Sequence, residues 1–231
     1  MSPDIQYLAL RLEGPLQAWG VDSQYSCRNT TLMPSRSAIA GMICAALGLD
    51  RGSKNEKEFL VEFEALSMLT ISIPRQISKR KAGEICKKVL PVRRLNDYHT
   101  VQNTKTASGS SKDCHITQRQ YLTDAAFGVL LTGKTLTILK IAEALADPIW
   151  GIWFGRKSCI PSAPVLAGIK SSREECLKLL LGNAPLKSFT RQEETETFAE
   201  GRDSLSDVPI SFASNQRQFS QRRVRIVEKK R

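Results

Sequence analysis

Long apolar runs are missing from this chain of 231 residues. Nowhere do about eighteen apolar residues follow one another, so no membrane-spanning helix is expected. The opening MSPDIQYLALRLEG lacks the basic start and apolar stretch of a secretory signal, which makes the cytoplasm the expected compartment. Cysteine pairs are absent too. Cys27, Cys44, Cys86, Cys114, Cys159 and Cys176 stand singly without a CxxC, so free thiols are expected. Cys114 and His115 adjoin, but no second pair has metal-ligand spacing, and neither a metal nor a cofactor is expected. Histidine is scarce, with only His99 and His115. Asp97 and Asp124 read as isolated, and no DxD or His–Asp pair is apparent, which disfavours a metal-dependent nuclease.

Acidic residues are also short, 23 against 34 Lys and Arg, for a net charge of +11. The excess is local. Residues 74–112 carry ten bases and two acids, and residues 216–231 carry seven and one. The net +8 and +6 of those segments leave −3 for everything else. Charge gathered on two segments points to a polyanion partner. A pair of solvated basic loops is the plain alternative.

What is present reads as one core with an appendage. Tyr7–Leu12 alternates as a half-buried strand. Ser35 or Ser37 can cap a helix ending near Gly48, with Ile39, Met42, Ile43 and Leu47 as its apolar stripe. Leu66–Ile73 has strand character. So does Tyr121–Leu131, with Gly128 as a candidate bulge. Leu136–Ala146 reads as a helix with Leu136, Leu139, Ala142 and Leu145 inward, stopped by Asp147-Pro148. Val165–Ile169 reads as a short strand, and Ser172 to Glu175 as a capping box opening a helix that ends at Gly182. The order predicts an α+β fold: a ferredoxin-like, RRM-type βαββαβ sheet with both helices on one face. Residues 1–185 form this body, with residues 74–115 inserted as a basic thumb between the second and third strands. Residues 186–231 form an extension: an exposed polar loop over 187–207, then strands and a basic tail.

Four places could bind a polyanion. The stretch 14–20, GPLQAWG, sets Gln17 and Trp19 on a glycine-hinged loop, Gly20 closing it. Trp19 can stack on a base or brace the loop. The helix start behind it offers Ser35, Arg36 and Ser37, with Arg28 upstream, to an anion at free N–H groups; each serine is equally a plain cap. The turn WGIWFGRKSCIPS offers Gly155 for close backbone approach, with Arg156, Lys157 and Ser158 for phosphate oxygens. Its Trp150, Trp153 and Phe154 can stack on bases, although Trp150 and Phe154 fit the core better. Within the insertion, Arg93, Arg94, Tyr98, His99 and Lys105 interleave bases with an aromatic ring, as suits single-stranded RNA. Arg119 and Tyr121 stand just before the third strand. A metal-independent ribonuclease using His115, Lys112 and a tyrosine is the catalytic alternative.

The pieces EGPLQAWG, PSRSAIAGMICAALGL, NDYHTV, TQRQYLTDAAF and WFGRKSCIPSAPVLAGI come in an order and spacing that resemble one family. Over most of residues 5–170 the chain is similar to the CasD-type subunits of type I-E CRISPR Cascade complexes. The resemblance implies a non-catalytic subunit with a ferredoxin-like body and a thumb. It would cap the 5′ handle of the CRISPR RNA (crRNA) and contact the backbone subunit and the large subunit, meeting target DNA only through the complex. Base pairing would read the target. A relative in another subtype is an endoribonuclease with a Tyr/Lys/His set. The residues read as binding RNA are Gln17, Trp19, Gly20, Arg28, Ser35–Ser37, Arg119, Tyr121 and Gly155–Ser158.

Overall fold

The computed structural model describes residues 4–21, 26–81, 84–106, 108–197, 199–201 and 203–229. Ala107 in the expected glycine–serine tip, and Lys230 and Arg231 in the basic tail, lie outside them. In chain order the elements are β1 (Ile5–Glu13), β2 (Leu16–Gln17), β3 (Cys27–Arg28), α1 (Arg36–Ala46) and α2 (Lys54–Glu64). Then come β4 (Ser67–Ser72), β5 (Gln76–Lys81), β6 (Glu84–Val89), β7 (Arg93–Lys105), β8 (Ser111–Thr123) and β9 (Ala126–Lys134). The chain closes with α3 (Thr135–Ala146), β10 (Leu166–Lys170), α4 (Arg173–Leu181), β11 (Arg191–Thr195), β12 (Asp203–Ser211) and β13 (Gln218–Val227). No helix among the described residues is long and apolar enough to cross a membrane.

A seven-stranded sheet runs β10-β1-β9-β4-β11-β13-β12, each strand antiparallel to its neighbours. The mixed architecture on a large antiparallel sheet is as expected. Alternation along the central strands sends side chains to two cores. Leu8, Leu10 and Leu12 of β1 and Phe127, Val129 and Leu131 of β9 join the larger core with α1, α2 and α3. Ala9, Leu69, Ile71 and Leu130 face the other way, onto Cys176 and Leu180 of α4. Helices therefore cover both faces.

Several expectations need correction. The expected strand Tyr121–Leu131 is two strands, broken at Asp124, whose φ is 53°. Gly128 is no bulge, since β1 and β9 pair in unbroken register through Arg11↔Gly128. A Cβ there would press on Leu180. Helix α3 buries Ile138, Ile141, Ala142 and Leu145, leaving Leu136 and Leu139 exposed. Both stripes are apolar, and the direct exit from β9 decides which one faces the core. Ser172 makes no capping bond to the backbone of α4. The segment 187–207 is not a loop throughout: Arg191–Thr195 forms β11, which lies between β4 and β13, and β12 begins at Asp203. Its charges are met by partners, Glu193 by Arg191 and Arg225, and Glu194 by Arg36 and Arg222. The extension's strands complete the body's own sheet.

Helix α2 has no counterpart in the sequence reading. Ser53 Oγ accepts from Glu56 N at 3.1 Å, and Glu56 Oε2 accepts from Gly52 N at 2.9 Å. This reciprocal cap, with Phe59, Leu60 and Phe63 buried, is the signal that could have found it. The insertion is two hairpins. β5 and β6 pair with each other, and β7 pairs with β8 from Arg93↔Thr123 to Lys105↔Ser111. The second hairpin thus runs past residue 115, where the insertion was expected to end, to Thr123.

Candidate nucleic-acid interface

The opening loop is a brace. Gln17 is fully buried, and its Nε2 donates to Leu12 O (3.1 Å) and Ala125 O (2.8 Å). Trp19 Nε1 donates to Gln17 Oε1 at 3.2 Å. The Trp19 ring meets Phe127 edge-on at 6.5 Å and lies 5.7 Å from Phe154. Burial takes Gln17 and Trp19 off the surface; Gly20 stays exposed.

The start of α1 is already occupied. Ser35 Oγ accepts from Ala38 N, and Arg36 N donates to Asp207 Oδ2 at 2.7 Å. Asp207 is thus the anion at this helix end. The buried Arg36 guanidinium bonds the carbonyls of Phe63, Glu64 and Leu66 and pairs with Glu194 at 2.5 Å. Ser35 and Arg36 therefore bind the protein itself. Asp207 also takes a two-pronged bond from Arg222, at 2.6 and 2.9 Å. Burial alone would lower the Arg222 pKa, yet Asp207 and Glu194 raise it.

In the turn 153–159, Gly155 has φ +91°, and a Cβ there would collide with the Ala18 carbonyl oxygen. The close approach that glycine permits is to the opening loop, not to a ligand. Phe154 is core as expected, whereas Trp150 is 42% exposed. Arg156 donates to Gln120 O (2.9 Å) and Arg28 O (2.8 Å), and its guanidinium lies 4.6 Å from the Tyr121 ring centre. Tyr121 is buried beneath it and offers no face to a base. Lys157 and Ser158 are exposed, with Lys157 Nζ 5.9 Å from the Trp153 ring. Arg28 and Arg119 are partners in the parallel β3–β8 pairing.

These elements frame a cleft of about 590 Å³. Gly20, Arg28, Ser37, Gly155, Arg156 and Lys157 line it. The sequence reading missed the opposite wall. Arg51 follows α1, Glu56 comes from α2, Phe212 and Arg217 come from the β12–β13 connection, and Phe219 comes from the start of β13. Arg217 and Phe219 had a signal in their place in the basic segment, and Glu56 in its cap with Ser53. The Phe212 and Phe219 rings meet at 6.2 Å, and Trp150 and Trp153 stand on the side of the 153–159 turn. The cleft offers cations for phosphate and aromatic faces for bases.

On the β7–β8 hairpin, Arg93, Arg94, Tyr98 and Lys105 are exposed. His99 Nδ1 lies 3.7 Å from Asp97 Oδ2, a His–Asp pair that the sequence reading missed. His115 sits opposite Val101 and Lys112 opposite Thr104 in one continuous register. An odd separation along a strand puts His115 and Lys112 on opposite faces. Among the described residues no group of three or more His, Cys, Asp or Glu is placed to hold a metal.

The class is an α+β protein whose antiparallel sheet carries a cationic, aromatic-walled cleft beside a long basic hairpin. The model of the family CRISPR-associated protein (Cas_Cas5) matches residues 7–225, and the chain belongs to that family. It is 30% identical over 223 residues to the CRISPR system Cascade subunit CasD of Escherichia coli (strain K12), covering 91% of this chain and 93% of that one. The fold is similar to a chain of a CRISPR RNA-guided surveillance complex, with a TM-score of 0.74, 29% identity, and 96% and 89% of the two chains covered. It is also similar to a crystal structure of a Cas protein, with a TM-score of 0.64, 27% identity, and 96% and 95% covered. The resemblance to CasD-type subunits is borne out.

Proposed function

We propose that this chain is a non-catalytic, RNA-binding subunit of a CRISPR Cascade surveillance complex, holding the 5′ handle of crRNA in the cleft. The observation that carries the reading is the meeting of Arg28, Arg51, Lys157 and Arg217 with four aromatic rings in one cleft. Cations follow a phosphate backbone while rings stack on unpaired bases. The naming of the CasD relative and of the surveillance-complex neighbour supports the assembly. The sequence β1, α1, β4, β9, α3, β10, with spatial order β10-β1-β9-β4, supports a ferredoxin-like body. In this reading the thumb, through Arg93, Arg94, Tyr98, His99 and Lys105, meets the backbone subunit. The body meets the large subunit, and target DNA is reached only through the complex. Arg119 extends the basic rim, and Ser158 adds a hydroxyl to it.

The test is binding of a short single-stranded RNA across a salt series. Lys157→Ala weakens affinity and lowers the slope of log K against log salt by about one. Unchanged affinity and slope for the exposed-cation variants Lys157→Ala and Arg217→Ala would overturn the cleft assignment. Repeat RNA incubated with the protein in EDTA stays intact in this reading; cleavage abolished by His115→Ala would install the ribonuclease instead.

A further inference from the structure

Glu56 has no part in holding phosphate, yet it lines the cleft with a fully buried side chain. Oε2 accepts from Gly52 N at 2.9 Å and Phe212 N at 3.2 Å, while Oε1 has no partner. A buried carboxylate oxygen without a donor is costly, so a donor arriving from a ligand is favoured. The two backbone donors fix Oε2, and through it the direction of Oε1. The Cys44 thiol lines the same cleft; burial, with the Glu56 charge second, pushes its pKa up to about 12.

We propose that Glu56 reads the amino edge of an unstacked nucleobase seated in the cleft, so that the protein distinguishes an amino-bearing base from one with a carbonyl there. The inference rests on the RNA-binding reading above. A lysine or arginine from a protein partner would meet repulsion from Arg51 and Arg217, which line the same space. The exocyclic amine of a base is neutral, and the cleft's rings suit the face of that base.

Cytosine and uracil differ at one edge, an N4 amine against an O4 carbonyl. The test compares labelled oligo(C) and oligo(U) of equal length on the full chain. The native protein prefers oligo(C) by about tenfold, the strength of one hydrogen bond to a charged group. In Glu56→Gln the amide oxygen keeps the two backbone donors and the NH2 takes the place of Oε1. The free position becomes a donor, and the preference turns towards oligo(U). A ligand-side measurement needs no variant: oligomers in which pyrimidin-2-one, which lacks the amine, replaces cytosine bind the native protein about tenfold more weakly. Equal affinity for oligo(C) and its amine-free analogue overturns the inference, as does a preference that Glu56→Gln leaves unmoved. If Lys157→Ala still weakens both homopolymers alike in that case, the cleft reading survives and only the role of Glu56 falls. If the native protein binds neither homopolymer at low salt, both fall.

Discussion

Arg156 and Lys157 are neighbours with different work. Arg156 spans two carbonyls and covers Tyr121, so its loss leaves acceptors unpaired and a ring uncovered. Arg156→Ala is expected to cost about 1–3 kcal/mol of stability, read by denaturant unfolding, as well as RNA affinity. Lys157→Ala leaves the unfolding midpoint where it was and changes RNA binding alone. The thiols separate in the same manner. Cys44, Cys159 and Cys176 are buried, and burial raises the pKa of each, for Cys44 to about 12 and Cys176 to about 11. Cys27 and Cys114 are exposed. Iodoacetamide on the folded protein at pH 8 labels Cys27 and Cys114 first, with Cys44, Cys159 and Cys176 protected until unfolding, as peptide mass spectrometry would show.

Among the elements, α1 depends on a residue far along the chain. Asp207 holds the Arg36 amide and the Arg222 guanidinium, and its side chain is wholly buried. Removing it leaves Arg222 buried without this partner. Asp207→Ala is expected to destabilise the protein by about 3–5 kcal/mol, measured by chemical denaturation. The helices also show where sequence reading works. For α1, proline, a capping serine and the apolar spacing all agreed, and the helix stands as read. For α2 the local signal is present in Ser53, Glu56, Phe59 and Phe63. For α3 the spacing was right and Ala142 and Leu145 face inward as read, but Ile138 and Ile141 are buried instead of Leu136 and Leu139, because Leu136 and Ile138 are equally apolar and only the sheet chooses between them. At Ser172 the box was present in letters only; its hydroxyl bonds the Glu174 side chain instead.

At the scale of the molecule, the Arg36–Glu194 pair ties the extension to the body, while Glu193 binds the extension's own strands to each other. Burial opposes the charge on Glu193, but Arg191 and Arg225 overcome it and hold the carboxyl below its ordinary pKa. A lowered folded-state pKa stabilises above the ordinary value and is lost as acid is added. Thermal midpoints are therefore expected to fall below about pH 4.5, and Glu193→Gln is expected to flatten that fall. The β5–β6 hairpin sits at the other extreme. Its ends meet where Leu90 N donates to Arg75 O at 2.8 Å, so a short Gly–Ser link in place of residues 76–89 leaves the body's melting temperature within a few degrees.

Sequence alone determined what short spacings encode: the order of most elements, the gathering of charge on two segments, and the glycine-bearing turn at 153–159. It could not say which polar groups look inward. Gln17 bonds Ala125 across 108 residues, and Arg36 bonds Asp207 across 171. Tertiary structure made both of them internal ties and turned a polar stretch at 191–195 into a sheet strand. It also brought Phe212, Arg217 and Phe219 across from Lys157. The reason is physical. Periodicity and caps are local, whereas satisfying a buried charge or walling a cleft needs partners that only the folded chain brings together.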